Sequence, residues 1–535
     1  MRTSARKVRT ALRISALPLA SSAGLRTQRT LSSTPLYRAI PGICAVIRAE
    51  KIRMSSSDRG IIAKKACTRC RRQKRRCDRA LPECGLCQRL HKSCTYDTVE
   101  LNTPENTPSP ASETTHFGWE PLTPAQIKHA IIERLDSATP DSVLARYIRS
   151  INPWFPFLSH LAQRQLPSSW HDASLSFAML SFCIVMLDTR PPLSEGSKCK
   201  SLYLWAKSWT SLIEGLGIHS LELVQARTLI TLFEVVHGLY PAAYISVGAT
   251  ARATDALNIH SRYLSSPDPS NNGTPTPEVA FIWCGIYTLD RYIAIESGSR
   301  LSLTGSVTPD IHDGLRKLIC PSLYDEDHTS AFYKVSRLYG AADILDKMHT
   351  ALNNPTGDSA ADAQHIMLLL ETASNLQAIV TKDIGYTDEV YSGALSLCNT
   401  GLFLAYENAS KLTFIDEIIT TCNTIGTMSL NDLLATLAAT LDPFVNGTTI
   451  ADFDRLSPFT MLMIYRAAAL VTQRLLVENT CQDNLRMLRI FRGFLRTVSE
   501  RWLCCERYLE LLDENTTPRL LKFIEQGQNT DSGNT

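Results

Sequence analysis

Six cysteines between positions 67 and 94 are the residues of this 535-residue chain best placed to do chemistry. They read C-x2-C-x6-C-x6-C-x2-C-x6-C, so Cys67, Cys70 and Cys77 are followed by Cys84, Cys87 and Cys94 at the same spacing. A two-residue gap lets neighbouring thiolates close on one ion at about 2.3 Å. Six sulfurs can complete two tetrahedra only if two of them are shared between a pair of zinc ions. Other readings fit less well. A disulfide framework needs an oxidising compartment, and nothing in the chain resembles a secretory signal. An iron–sulfur cluster would usually take four cysteines in a different arrangement, and two separate four-cysteine zinc sites would need eight sulfurs. Six thiols buried by chance is excluded because the segment is too polar to have a core of its own.

The residues around these thiols point to a partner. Arg69, Arg71, Arg72, Lys74, Arg75 and Arg76 follow one another without an acid. Six thiolates and two zinc ions leave a charge of about −2, which the basic residues offset before they meet phosphate. A basic run is ordinarily a solvated face or a nuclear import signal, and here import and phosphate contact can use the same charges.

The pattern resembles the fungal zinc binuclear cluster (Zn2Cys6) family of transcription factors. The match runs Ala66-Cys67-x-x-Cys70-Arg71-Arg72-x-Lys74-x-Arg76-Cys77, then Pro82, Cys84-x-x-Cys87 and Cys94. The resemblance implies that all six cysteines bind two Zn2+, with Cys67 and Cys84 as the bridging pair. It also implies a short helix after each leading cysteine pair and a turn at Pro82. By the same resemblance Lys74, at the end of the first helix, reaches base edges of a CGG-type triplet in the major groove, where guanine N7 and O6 accept from lysine. Arg71 and Arg76 become phosphate contacts that set register. Arg72 belongs to the same basic surface, and the roles of Gln73 and Arg75 stay open.

Those residues must be carried by a larger frame. Residues 1–53 hold eleven Lys/Arg against one acid (Glu50), and residues 54–97 hold twelve against four. Residues 98–535 hold 32 against 47, so the front of the chain suits nucleic acid and the rest does not. Residues 1–53 have the composition of a mitochondrial transit peptide, and a start at Met54 is the second reading. A basic, disordered extension is the reading preferred, because the cluster's work lies in the nucleus. Cys44 has no ligand-spaced partner. The cluster module is expected over residues 60–97, a flexible Pro/Thr/Ser linker over 98–119, an all-α regulatory domain over 120–526 and a disordered tail over 527–535. The linker shows no heptad repeat of the kind that relatives use to dimerise.

The helical expectation rests on spacing: Ile127, Ala130, Ile131 and Leu135; Leu221, Val224, Leu229 and Leu232; Leu485, Leu488, Ile490, Phe491 and Leu495. Joints are expected at Pro191-Pro192, Pro241, the loop 265–278, Pro309, Pro321, Pro355 and Pro443. Ala173 to Leu187, the most apolar run, falls short of a membrane span and reads as a buried helix. Three stretches resemble the family's middle homology region, its helical regulatory domain: residues 151–158 (INPWFPFL), 242–260 and 281–301. Gly298-Ser299-Arg300 matches it only in part, since relatives often have Gly-Arg-Pro there.

No HExxH, GxSxG, GxGxxG after a strand or GxxxxGK[ST] motif is visible, so an enzyme is not expected. Asp290-Arg291 reads as an ion pair that orients helices, and His219, His237 and His260 as satisfied or capping residues near helix ends. Cys504 and Cys505, being adjacent, are not expected to face one core. The sequons at Asn272 and Asn446 carry no weight without a secretory signal. The mixed acidic and apolar helix around Trp502 to Glu514 reads as core-packed more than as an activation segment. Together these readings describe a nuclear, sequence-specific regulator of RNA polymerase II transcription that binds double-stranded DNA. A homodimer, a coactivator or corepressor and a small-molecule effector are the further partners such a chain is open to, and no membrane is expected.

Overall fold

The computed structural model describes residues 65–80, 83–90, 92–96, 122–257, 277–298, 302–304, 331–384, 389–413, 416–477 and 481–517. The basic extension, the linker, the tail, Cys44, Pro82, His260, most of the loop 265–278, Pro309 and Pro321 lie outside them. The chain divides into two compact units, Met1–Glu113 and Thr114–Thr535. The smaller unit contains two one-turn helices, α1 (Thr68–Arg72) and α2 (Gly85–Arg89).

The larger unit is built of helices, with no strand among its described residues. Their starts follow from the sequence. Thr123 and Thr139 cap α3 (Pro124–Leu135) and α4 (Pro140–Ser150), each through a reciprocal capping box with proline in the first turn. Ser174, Ser197 and Ser220 cap α5 (Leu175–Asp188), α6 (Lys198–Gly215) and α7 (Leu221–Val236). Each such cap satisfies an orphan N–H and is worth about 1 kcal/mol. After α8 (Ala242–Ala256), α9 (Pro277–Ser297), α10 (Ala331–Asn353) and α11 (Ser359–Ile384), Ser392 and Asp416 cap α12 (Gly393–Ala409) and α13 (Glu417–Val445). The last three helices are α14 (Thr460–Val477), α15 (Gln482–Val498) and α16 (Cys504–Glu514).

Pro191-Pro192, Pro241 and Pro355 fall between helices, as expected. Pro443 does not: it lies in the last turn of α13. The helix ends two residues later, so the hydrogen bond that proline removes would have been among its last. Helix α5 is buried from Ser176 to Leu187 because α3, α4, α6 and α7 pack around it, the arrangement an all-apolar helix demands. By length and composition α14 could cross a bilayer, which the sequence reading did not single out. It is also the profile of a core helix, and α12, α15 and α16 pack on it.

The main core is organised on the INPWFPFL segment. Trp154, Phe155, Phe157 and Leu158 are fully enclosed. Trp154 meets Phe459 and Trp502 edge-on at centroid distances of 5.9 and 6.0 Å. Its indole N–H donates to the Ser150 carbonyl at 2.8 Å. Tyr147 donates its hydroxyl proton to Phe155 O and accepts from the Leu158 N–H, so the irregular backbone of this segment is satisfied internally. Gly393 opens α12 so close to this segment that a Cβ would lie 2.0 Å from the Trp154 carbonyl oxygen. A second apolar cluster, including Met348, Ala373, Leu402 and Cys422, is shared by α10, α11, α12 and α13.

The Asp290-Arg291 pair is buried at 2.9 Å and does orient neighbours. Asp290 accepts the N–H groups of Leu303 and Thr304 at 3.0 and 2.7 Å, and Arg291 reaches Asp346 on α10 at 3.3 Å. The C-terminal helix is core-packed as expected, with Trp502, Tyr508 and Leu512 buried. Two further expectations need correction. Cys504 and Cys505 are both buried in the same core. The N-terminal turn of α16 is embedded deeply enough for two adjacent side chains, and Cys504 lies against Gly238.

His237, at the C-cap of α7, is neither satisfied nor capping through its ring: both ring nitrogens are buried without a partner. It packs on Phe233 at 4.3 Å. Burial, with the nearby Arg501 guanidinium, lowers its pKa to about 3. Between about pH 6.5 and 3 the unfolded chain therefore binds a proton that the folded chain refuses. The stability present above 6.5 is lost as pH falls. Denaturation of the full chain at pH 7.5, 6.5 and 5.5 should show wild type losing up to about 1.4 kcal/mol per pH unit below 6.5 relative to His237→Leu. Parallel profiles for the two proteins would reject this assignment.

Candidate metal centre and nucleic-acid interface

The two halves of the cysteine segment fold alike. In each, the leading cysteine is the N-cap of a one-turn helix: Cys67 Sγ accepts the Cys70 N–H and Cys84 Sγ the Cys87 N–H, both at 3.4 Å. The helix ends match too. Lys74 N–H donates to Arg71 O at 3.2 Å and Arg75 N–H to Cys70 O at 2.9 Å, and in the second half Lys92 N–H donates to Cys87 O at 3.1 Å. The first of these ends is a Schellman motif. Lys74 occupies its left-handed position, at φ 52°, where a lysine costs about 1 kcal/mol relative to glycine.

This repeat folds the thiols inward. The sulfurs of Cys67, Cys70, Cys84 and Cys87 lie within 4.8 Å of one another and all four residues are buried. Cys67–Cys84, Cys67–Cys87 and Cys70–Cys84 are each separated by 3.8 Å. Cys77 joins through Cys84, with Asp78, in a second group of the same reach. Cys94 Sγ accepts the Cys84 N–H at 3.3 Å. None of the six is in a disulfide. A tetrahedral zinc site with bonds of about 2.3 Å has sulfur–sulfur edges of about 3.8 Å, so the donor set fits zinc in both chemistry and spacing, with Cys67 and Cys84 at its middle.

The two helix-capping thiols are shifted downward by the N–H groups they accept. Burial alone would push both thiols up, but hydrogen bonds from the Cys70 and Cys87 backbone N–H groups and from neighbouring thiols outweigh it. Cys67 is lowered, and Cys84 falls to about 6. Burial and neighbouring thiols hold Cys70 up, and Cys87 rises to about 12.

Supports that the sequence reading missed surround the thiols. The Asp78 carboxylate accepts the Gly85 N–H at 2.9 and 3.1 Å, at the start of α2. Thr68 and Thr95 close the module: the Thr68 N–H and hydroxyl reach Thr95 O at 2.9 and 2.7 Å, and the two hydroxyls meet at 2.6 Å. Tyr96 donates to Ala80 O at 2.9 Å. The adjacency Cys77-Asp78 and Cys84-Gly85 was the available signal for the first support. The threonine pair, 27 residues apart, left none.

A Cβ on Gly85 would lie 2.7 Å from Asp78 Oδ2. Asp78→Ala should weaken zinc binding about fivefold, the worth of one cap. Gly85→Ala should weaken it more in wild type than in the Asp78→Ala background, where the obstacle is gone. Competition with a chromophoric chelator measures both, and additive losses would refute the contact.

Arg71, Arg72, Lys74, Arg75 and Arg76 are all exposed, and Arg69 is half-buried beside them. The basic residues are thus open to solvent, while Cys67, Cys70, Cys84 and Cys87 are buried.

Residues 65–102 match the family described as the fungal Zn(2)-Cys(6) binuclear cluster domain, which implies two zinc ions. The chain is 29 % identical over 123 residues to Transcription factor BOA15 of Botryotinia fuckeliana (strain B05.10), covering 23 % of this chain and 68 % of that protein. It is 46 % identical over 48 residues to the depudecin biosynthesis cluster-specific transcription activator DEP6 of Fusarium langsethiae, and 48 % identical over 46 residues to DEP6 of Alternaria brassicicola. Those two alignments cover 9 % of this chain and only 8 % and 7 % of the relatives' lengths. No solved structure matches the chain.

Proposed function

We propose, from the premise that this chain carries a fungal Zn(2)-Cys(6) binuclear cluster domain and is homologous to DNA-binding transcription regulators, that it is a nuclear regulator of RNA polymerase II genes acting at CGG-type sites. Cys67, Cys70, Cys77, Cys84, Cys87 and Cys94 are the zinc ligands, with Cys67 and Cys84 shared. The observation that carries this is the gathering of free thiols, Cys67, Cys70, Cys84 and Cys87 with sulfur separations of 3.8 Å and Cys77 beside Cys84, in a module whose basic residues are exposed. When bound, the metal supplies the folding free energy of a segment with no other core. The chain's own residues do the rest: Cys67 and Cys84 start the helices, and Arg71, Arg72, Lys74, Arg75 and Arg76 face DNA.

Within that surface Lys74 reads the bases. Its left-handed backbone ends α1 abruptly and offers the ammonium group beyond the helix, while Arg71 and Arg76 hold phosphates and set register. Residues 60–97 form the DNA-binding module, 98–119 a linker and 120–526 a helical regulatory domain of the middle-homology kind. Coregulators or a second copy engage that domain. No catalytic role is assigned to it.

Selection of bound duplexes from a random pool by the full chain, at two salt concentrations and with or without a zinc chelator, tests this reading. A CGG-containing motif that vanishes with the chelator supports it, and sequence-blind, salt-sensitive binding refutes it. Lys74→Ala should flatten the preference by about 1–3 kcal/mol per triplet while keeping full zinc content. Lys74→Gly, which relieves the backbone, should do the same. An unchanged preference in either variant removes Lys74 from the base-reading role.

A further inference from the structure

We infer that a cleft in the helical unit, lined by α10, α11 and the start of α12, is a binding site for a small aromatic carboxylate. The cleft has a volume of about 240 Å3, room for roughly a dozen non-hydrogen atoms and less than a drug-sized ligand needs. Its lining is basic: Lys334, Arg337 and Arg455 line it with a single acid, Asp383, although residues 98–535 hold 47 acids against 32 bases.

That one acid is already engaged. Arg337 Nε donates to Asp383 at 3.2 Å, and its terminal nitrogen reaches the Tyr333 hydroxyl at 2.7 Å. Among the described residues Lys334 and Arg455 have no acidic partner, so two cations are left to face an anion. Aromatic rings stand beside the guanidinium groups: Arg337 lies over Tyr333 at 4.4 Å and Arg455 over Tyr391 at 5.4 Å. The Arg337–Asp383 pair locks one wall, so this part of the cleft is formed before a ligand arrives. Cationic groups held against rings in a concave, part-apolar site suit a ligand with a carboxylate at one end and a flat ring at the other. Binding here is independent of the zinc module and of the DNA-binding reading.

Isothermal titration and thermal melting of the full chain with benzoate, phenylpyruvate, inorganic phosphate and benzyl alcohol test the inference. At least one of the two aromatic carboxylates should bind with a Kd of about 1 mM or tighter and raise the melting temperature, with benzyl alcohol and phosphate at least tenfold weaker. The double variant Lys334→Gln/Arg455→Gln should lose at least tenfold in affinity while its ligand-free melting point stays at the wild-type value. If that variant melts lower, the two single variants serve instead, each expected to lose about threefold. No binding of either carboxylate at about 10 mM, equal binding of phosphate or benzyl alcohol, or unchanged affinity in the variants overturns the assignment.

Discussion

Cys84→Ala is expected to yield a chain that retains less than one zinc per molecule and no sequence-specific DNA binding, while its helical unit melts as in wild type. Cys84 lies 3.8 Å from both Cys67 and Cys70, caps α2, and donates its own N–H to Cys94. If its thiolate is shared, both metal sites lose a ligand at once, and apparent zinc-binding free energies of about 10–16 kcal/mol are what fold such segments. Cys94→Ala takes a ligand from one ion only and should keep more zinc than Cys84→Ala. Cys481→Ala, a half-buried thiol far along the chain that makes no capping bond, should keep all of it. Elemental analysis of zinc per chain with fluorescence anisotropy on a selected duplex measures the series. A Cys84→Ala protein with two zinc ions and intact DNA binding would refute the shared-thiolate arrangement.

Trp154→Ala should destabilise the helical unit by about 3–5 kcal/mol. The indole fills the space between Phe459 and Trp502, and its N–H satisfies the Ser150 carbonyl. Truncation leaves a cavity lined by Phe459 and Trp502 that the surrounding structure refills only in part. Trp205 is the comparison. It lies exposed on α6 beneath the Arg134 guanidinium at 4.4 Å, and its loss should cost about 1 kcal/mol or less. Urea denaturation followed by far-UV circular dichroism measures both. Equal shifts for the two tryptophans would mean that the INPWFPFL segment is not the centre of the core.

The metal-binding chemistry was legible because ligand spacing is local: two residues between thiols and a repeated six-residue gap leave few folds open. Helix starts were legible for the same reason, as Thr123-Pro124 with Gln126 shows. What escaped were features set by contacts distant in sequence or by backbone shape. The φ of Lys74 follows from how α1 terminates, and lysine carries no mark of it. His237 reads as an ordinary helix-end histidine until Trp502, 265 positions later, is seen to cover it. Cys504 and Cys505 depend on how deeply the first turn of α16 is sunk among its neighbours. The charge of the cleft beside Tyr333 and Tyr391 is assembled from residues spread over more than a hundred positions.

The Thr68–Thr95 pair has a mechanical consequence. It fastens the first residue of α1 to the residue just after Cys94 through hydrogen bonds of 2.6–2.9 Å, so the chain enters and leaves the cysteine module at one point. Cys70 to Cys94 lie inside the loop it closes, so these hydrogen bonds share any tension that reaches the module along the chain.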